Sequence, residues 1–159
     1  MHALLARGET LSSAESCTGG LIAKVITDIP GSSAALMGAC VTYTNEVKIN
    51  LLGVDPEIIV RVSEVSFECA EAMATGAKAR MQSTYAVSTT GYAGPGGGTE
   101  KDPVGTVYIA VDGAHGTVCR RLSLSPLRDR AYIRMVAATN AILDVLHYLE
   151  SKAAKNAEK

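Results

Sequence analysis

A chain of 159 residues, 47% hydrophobic and 19% charged with formal net charge −1, has the size and composition of one globular domain with a real core. The charge balance excludes the overall basic footprint of a nucleic-acid binder, the apolar runs are too short to cross a bilayer, and no charged-then-apolar leader opens the sequence. Cys17, Cys40, Cys69 and Cys119 form neither a CxxC pair nor a zinc-ligand spacing, so they read as reduced thiols in a cytoplasmic protein, with no metal and no cofactor expected.

Met1 to Arg7 reads as the last turns of a helix that ends at Gly8. Leu11 to Ser16 is strand-like, and Leu21 to Thr27 has a helical pattern. Between them lies Glu15-Ser16-Cys17-Thr18-Gly19-Gly20, where a hydroxyl and a thiol sit at a strand-to-helix turn. Its glycines permit a sharp turn. The unpaired amides of a helix start suit an anion or an oxyanion, although a plain Ser/Thr cap with turn glycines has the same composition. Ile29-Pro30-Gly31-Ser32-Ser33 punctuates the chain. A short helix over Ala34 to Met37 and a strand over Gly38 to Tyr43 are expected next. Asn45 to Leu52 reads as a helix capped by Asn45 and stopped by Gly53. Pro56 to Val62 is another short helix with proline in its first turn. Ser66 caps a longer helix to about Gln82, whose Cys69 or Ala70, Met73, Ala77 and Met81 make one apolar face.

Tyr85 to Thr89 is a strand, Gly91 to Asp102 a glycine-rich loop, and Val104 to Asp112 and Thr117 to Leu124 a hairpin pair. The last helix is expected from about Arg128 to Ser151. Strands and helices that alternate early, with a hairpin late, imply an α/β fold. The expected form is a three-layer α/β/α sandwich around a mixed, mostly parallel sheet. It is expected as a single domain over residues 1–151, followed by a disordered tail over 152–159.

Three further segments fall where ligands collect, beyond strand ends. Gly91-Tyr92-Ala93-Gly94-Pro95-Gly96-Gly97-Gly98-Thr99 is neither a Walker motif nor GxGxxG opening a helix. Its amides suit a phosphate or a sugar, and a flexible surface loop has the same composition. In Tyr43-Thr44-Asn45-Glu46-Val47-Lys48, a lysine at a helix start opposes the helix dipole. Arg130 and Arg134 stand one turn apart and suit a phosphate or carboxylate clamp, or an exposed charged face. His2, His115 and His147 are poorly placed for a Ser-His-Asp triad. Ser16 with a through-space lysine is the cheaper nucleophile–base pair, and Cys17 is the rival nucleophile.

Together, Ala14-Glu15-Ser16-Cys17-Thr18-Gly19-Gly20-Leu21, Pro30-Gly31-Ser32-Ser33-Ala34, Tyr43 to Lys48, Leu52-Gly53-Val54, Gly91 to Gly97 and Pro103-Val104-Gly105-Thr106-Val107 resemble one family. It is that of the nicotinamide mononucleotide deamidases, which also forms the C-terminal domain of the competence/damage-inducible CinA proteins. The resemblance implies an α/β/α sandwich, commonly a homodimer. It also implies hydrolysis of nicotinamide mononucleotide to nicotinic acid mononucleotide and ammonia, with neither nucleic acid nor membrane as partner. By resemblance Ser16 is the nucleophile, and Tyr43 and Lys48 complete the catalytic set. Thr90 and Arg130 map to binding residues. The expected arrangement has Cys17, Thr18 and Gly19 offering oxyanion amides, Gly91, Gly94, Gly96 and Arg130 around the ribose phosphate, and Asn45 beside them. Arg130 would also help keep Lys48 neutral.

The sequence departs from the family pattern at Arg128 (glycine), at Tyr92 (isoleucine, a change expected at the pocket wall) and over Val62 to Ser66 (His-Gly-Ala-Val-Ser). The last departure is expected to leave the chemistry untouched. A shorter N-terminus puts one packing helix in doubt. Two other readings stay open: a non-catalytic nucleotide-binding or regulatory module, and an amidohydrolase for a different amide.

Overall fold

Five strands, β1 (Leu11–Glu15), β2 (Leu36–Val41), β3 (Tyr85–Gly91), β4 (Thr106–Gly113) and β5 (Gly116–Ser123), form one sheet in the order β2-β1-β3-β4-β5. The structure is a computed structural model that describes residues 1–157, with side chains as far as Ser151. β1 pairs in parallel with both β2 and β3, whereas β3–β4 and β4–β5 are antiparallel. The sheet is therefore mixed, and β4 alone runs against the other strands. Register places Glu15 beside both Val41 and Thr89. The chain thus leaves β1, β2 and β3 at one edge, carrying Ser16, Thr42 and Thr90 to neighbouring positions.

Helix α5 (Phe67–Met81) covers one face, with α3 (Asn45–Leu52) and α4 (Pro56–Val62) against it. Helices α1 (His2–Leu5), α2 (Leu21–Thr27) and α6 (Arg130–Ala157) cover the other. Ile22, Ile26, Val87, Ile109 and Ile133 fill the α2/α6 layer. The opposite layer uses Met73 together with Ala14, Ala77 and Ala86, whose small side chains let α5 approach the sheet closely. Gly76 marks the tightest approach: a Cβ there would collide with the backbone oxygen of Leu52 and stand 2.9 Å from its Cβ. Gly76→Ala should therefore push α3 away from α5. A loss of about 2–3 kcal/mol is expected in denaturant unfolding, together with a lowered turnover, because α3 carries Lys48.

β1 is buried along its whole length although its sequence is Leu-Ser-Ser-Ala-Glu. Its polar groups are all engaged. Ser12 Oγ lies 2.7 Å from Ser83 Oγ, and Ser13 Oγ donates to Glu15 Oε1. Glu15 is fully buried and its carboxylate accepts from the amides of Gly20 at 2.9 Å, Ile22 at 3.1 Å and Ala23 at 2.9 Å. It caps α2 from a neighbouring element, doing what an N-cap side chain normally does. Glu15→Ala leaves those amides unpaired in a dry interior. An unfolding free energy lower by about 3 kcal/mol is expected, read as a drop in thermal midpoint.

Several boundaries differ from expectation. In place of a helix over Ala34 to Met37 there is a 3-10 turn at Ser32–Ala34, and β2 begins at Leu36. Pairing of Leu36 with Leu11 decides this, since ladder formation outweighs the local preference of an alanine pair. Thr44, not Asn45, caps α3, its Oγ1 accepting from Val47 N at 3.3 Å. Asp129 caps the last helix by accepting from Tyr132 N at 2.7 Å. That helix runs as backbone to Ala157, past the expected end at Ser151. Side chains from Lys152 onward, and residues 158–159 entirely, lie outside the described residues. Among the described residues no helix is long and apolar enough to cross a membrane.

Candidate active site

Ser16 is the first residue past β1, and its amide donates to Thr89 O at 3.0 Å. The chain then turns through Gly19 (φ 61°) and Gly20 (φ 96°) into α2, left-handed positions that glycine occupies without strain. Arg134, from α6, donates through Nε to Cys17 O at 3.1 Å and through Nη2 to Thr18 O at 2.8 Å. Arg134 thus does not share a ligand clamp with Arg130; it braces the turn. Behind the turn, Thr18 Oγ1 lies 2.8 Å from Thr89 Oγ1. The Gly19 amide donates to Ser16 O and the Gly20 amide to Glu15, so neither is free to receive an oxyanion. Among the described residues the amides of Cys17 and Thr18 donate to no protein oxygen. Burial pushes the Cys17 thiol up to about 12, which leaves it almost wholly protonated at neutral pH.

Lys48 sits in the first half of α3, and its side chain folds back under the helix start. It is 1% exposed. Nζ donates to Thr42 O at 2.9 Å, to Tyr43 O at 3.4 Å and to Ser16 Oγ at 3.2 Å. Burial lowers its pKa below the ordinary 10.5, against the opposing influence of Cys69, Glu64 and Cys17. Arg130, expected to help, is not among the charges acting on Lys48. Once neutral, the amine keeps N–H donors for the Thr42 and Tyr43 carbonyls. Its lone pair is then left for the Ser16 hydroxyl, which would donate to Nζ across the same gap.

This pair opens into a cleft of about 370 Å³ lined by Ser16, Cys17, Tyr43, Asn45, Lys48, Thr90, Gly91, Gly94, Gly96 and Arg130, together with Thr44, Glu64, Val65, Tyr92 and Ala93. A cleft of that size suits a small molecule. Of the residues expected at the site, Thr18 and Gly19 are absent from this lining. Arg130 spans the mouth, donating through Nη1 to Gly94 O at 2.7 Å and through Nη2 to the Tyr43 hydroxyl at 2.9 Å. Thr90 Oγ1 donates to Glu64 O at 2.6 Å. In the loop, a Cβ on Gly98 would stand 2.7 Å from Val104 N, whereas Gly96 faces open space. Gly98 is therefore a folding requirement and Gly96 part of the ligand surface. Tyr92 lines the cleft wall. Arg128 does not; its guanidinium stacks over Tyr132 at 4.9 Å. The cleft lining includes no histidine. Glu64, in the 62–66 segment expected to leave the chemistry untouched, lines the cleft. Glu15 and Arg134 were also missed as supporting residues. A carboxylate closing a buried strand just before a helix is the signal for the first; nothing local marks the second.

Comparison with known proteins is consistent along the chain. The family described as the CinA C-terminal domain matches residues 1–149. A CinA-like protein of Cyanothece is 49% identical over 149 residues, covering 94% of this chain and 35% of that protein. A CinA-like protein of Myxococcus xanthus is 48% identical over 144 residues, covering 89% of this chain and 34% of its own length. The chain thus spans about a third of the length of these relatives. Among solved structures, the competence/damage-inducible protein of Agrobacterium tumefaciens superposes with a TM-score of 0.89 at 39% identity, covering 94% of this chain and 90% of that one. A CinA superfamily protein of Escherichia coli gives 0.87 at 30% identity, covering 91% and 83%. With the family model matching residues 1–149 and relatives close to half identical over nearly the whole chain, this chain belongs to the CinA C-terminal domain family.

Proposed function

We propose that the chain hydrolyses the carboxamide of nicotinamide mononucleotide, giving nicotinic acid mononucleotide and ammonia, with Ser16 as nucleophile and Lys48 as base. The observation that carries this reading is the buried Lys48 Nζ, 3.2 Å from Ser16 Oγ and tied to the Thr42 and Tyr43 carbonyls. Ser16 Oγ attacks the amide carbon as its proton passes to neutral Lys48. The developing oxyanion turns toward the amide of Cys17, which lines the cleft, a type of contact worth roughly 3 kcal/mol when well aligned. Lys48 hands its proton to the departing nitrogen, ammonia leaves, and an ester on Ser16 remains. Water then attacks this ester, giving its proton to Lys48, which returns it to Ser16 Oγ.

Arg130 and the loop amides receive the phosphate, and Tyr43 holds Arg130 in place. The steps use side chains and water. A homodimer in the cytoplasm is the setting in which we place this activity. The direct test is ammonia release from nicotinamide mononucleotide. No release by the wild type, with the mononucleotide still bound, would make the chain a nucleotide-binding module instead.

A further inference from the structure

Glu64 is the one acidic residue that lines the cleft, and the steps above leave it without a task. It sits on the link between α4 and α5, half-buried. Ser63, the residue before it, holds φ 79° and ψ 160°, a conformation that costs a non-glycine residue on the order of 1–3 kcal/mol and collects at functional sites. This strained residue fixes its neighbour: Ser63 Oγ donates to Glu64 Oε2 at 3.1 Å, and Thr90 Oγ1 holds the Glu64 carbonyl at 2.6 Å. Oε1 has no partner among the described residues, and no lysine or arginine there forms an ion pair with Glu64. Lys48 feels its charge, but Lys48 must be neutral to act as a base. In the reactive state the carboxylate therefore faces the cleft with no cation opposite.

With Lys48 neutral, the cleft lining carries one cation and one anion: Arg130, bonded to Gly94 O of the glycine loop, and Glu64, whose carbonyl accepts from Thr90. A ligand that complements both carries an anion at one end and a cation at the other. A ribosylated pyridinium carboxamide phosphate is such a zwitterion, its positive charge lying in the ring that bears the amide.

Resting on the deamidase reading, we propose that Glu64 determines specificity by pairing with the positively charged ring of the substrate, favouring a pyridinium carboxamide over a neutral aromatic carboxamide of the same shape. A fixed unpaired charge discriminates by electrostatics where shape cannot.

The test uses two mononucleotides: nicotinamide mononucleotide and the neutral benzamide riboside monophosphate. Wild-type ammonia release from the former is measured first. Calorimetric affinities for both follow in Ser16→Ala, and in Ser16→Ala combined with Glu64→Gln. The expected result is a preference of about tenfold for the cationic ligand while Glu64 is present, falling to within about twofold once Glu64→Gln is added, through weaker cationic binding alone. Unchanged neutral binding shows that the cleft has kept its shape. Wild-type turnover with an undiminished preference in Glu64→Gln, or equal weakening of both ligands, overturns the role of Glu64 and spares the deamidase reading. A wild type inert toward nicotinamide mononucleotide overturns both.

Discussion

Ser16→Ala is expected to lower ammonia release from nicotinamide mononucleotide by at least about 10³-fold, with little change in thermal midpoint. The stability side follows from the surroundings: among the described residues Ser16 Oγ has a single hydrogen-bond partner, Lys48 Nζ, and the Ser16 amide, which ties the turn to Thr89 O, is retained in alanine. The chemical side follows because no second nucleophile is ready. Cys17 is adjacent and lines the same cleft, but burial pushes its thiol up to about 12, which keeps it protonated at pH 7. Cys17→Ala should accordingly retain turnover within about tenfold. A Ser16→Ala protein that still releases ammonia at the wild-type rate would remove the serine from its role, and loss of activity in Cys17→Ala alone would transfer that role to the thiol.

Lys48→Met should lose turnover on a comparable scale, and Lys48→Arg with it, since a guanidinium does not give up its proton to become a base. Wild-type kcat/KM should climb with pH as Lys48 loses its proton. The midpoint should lie below 10.5, because burial lowers the folded value. The same shift has a stability consequence. In the window between the lowered folded pKa and 10.5, the unfolded chain binds a proton that the folded chain does not. Stability therefore rises with pH across that window. Below it, both states are protonated and the cost of burying the ammonium is constant. The difference in thermal midpoint between wild type and Lys48→Met should thus move in favour of wild type as pH is raised toward 10.5. A flat pH–rate profile, or a Lys48→Met protein with normal kcat and only a raised KM, would make Lys48 a binding residue.

Much of this was legible in the residues. The helices Leu21–Thr27, Asn45–Leu52 and Pro56–Val62 have the boundaries their spacing and punctuation predict. The turn, tyrosine, lysine and glycine-loop segments converge on one cleft because each follows a strand that ends at the same edge. What local pattern could not reveal depends on distant partners. Leu36 joins a strand because Leu11 lies beside it. The sequence offers Gly19 as an oxyanion donor, but Ser16 O claims its amide. Arg134 looked like half of a clamp until α6 docked it on the turn carbonyls. Glu64 stood outside every motif, and only the fold of the α4–α5 link brings it to the cleft.

The bracing of the nucleophile turn by the last helix has a consequence for how the protein is made. Arg134 reaches back 117 residues to Cys17 O and Arg130 reaches back 87 to the Tyr43 hydroxyl. β1 in turn waits for β3, with Leu11 paired to Tyr85. Synthesis proceeds from the N-terminus, so the ribosome delivers the serine turn more than a hundred residues before its brace. Such long-range closures form late and slowly. A nascent chain lacking α6 would carry Ser16 on a turn whose Cys17 and Thr18 carbonyls have no clamp, and competence arises only once α6 has been made. For the same reason, a stop codon ahead of Arg130 is more damaging to this protein than its distance from Ser16 in the sequence would suggest.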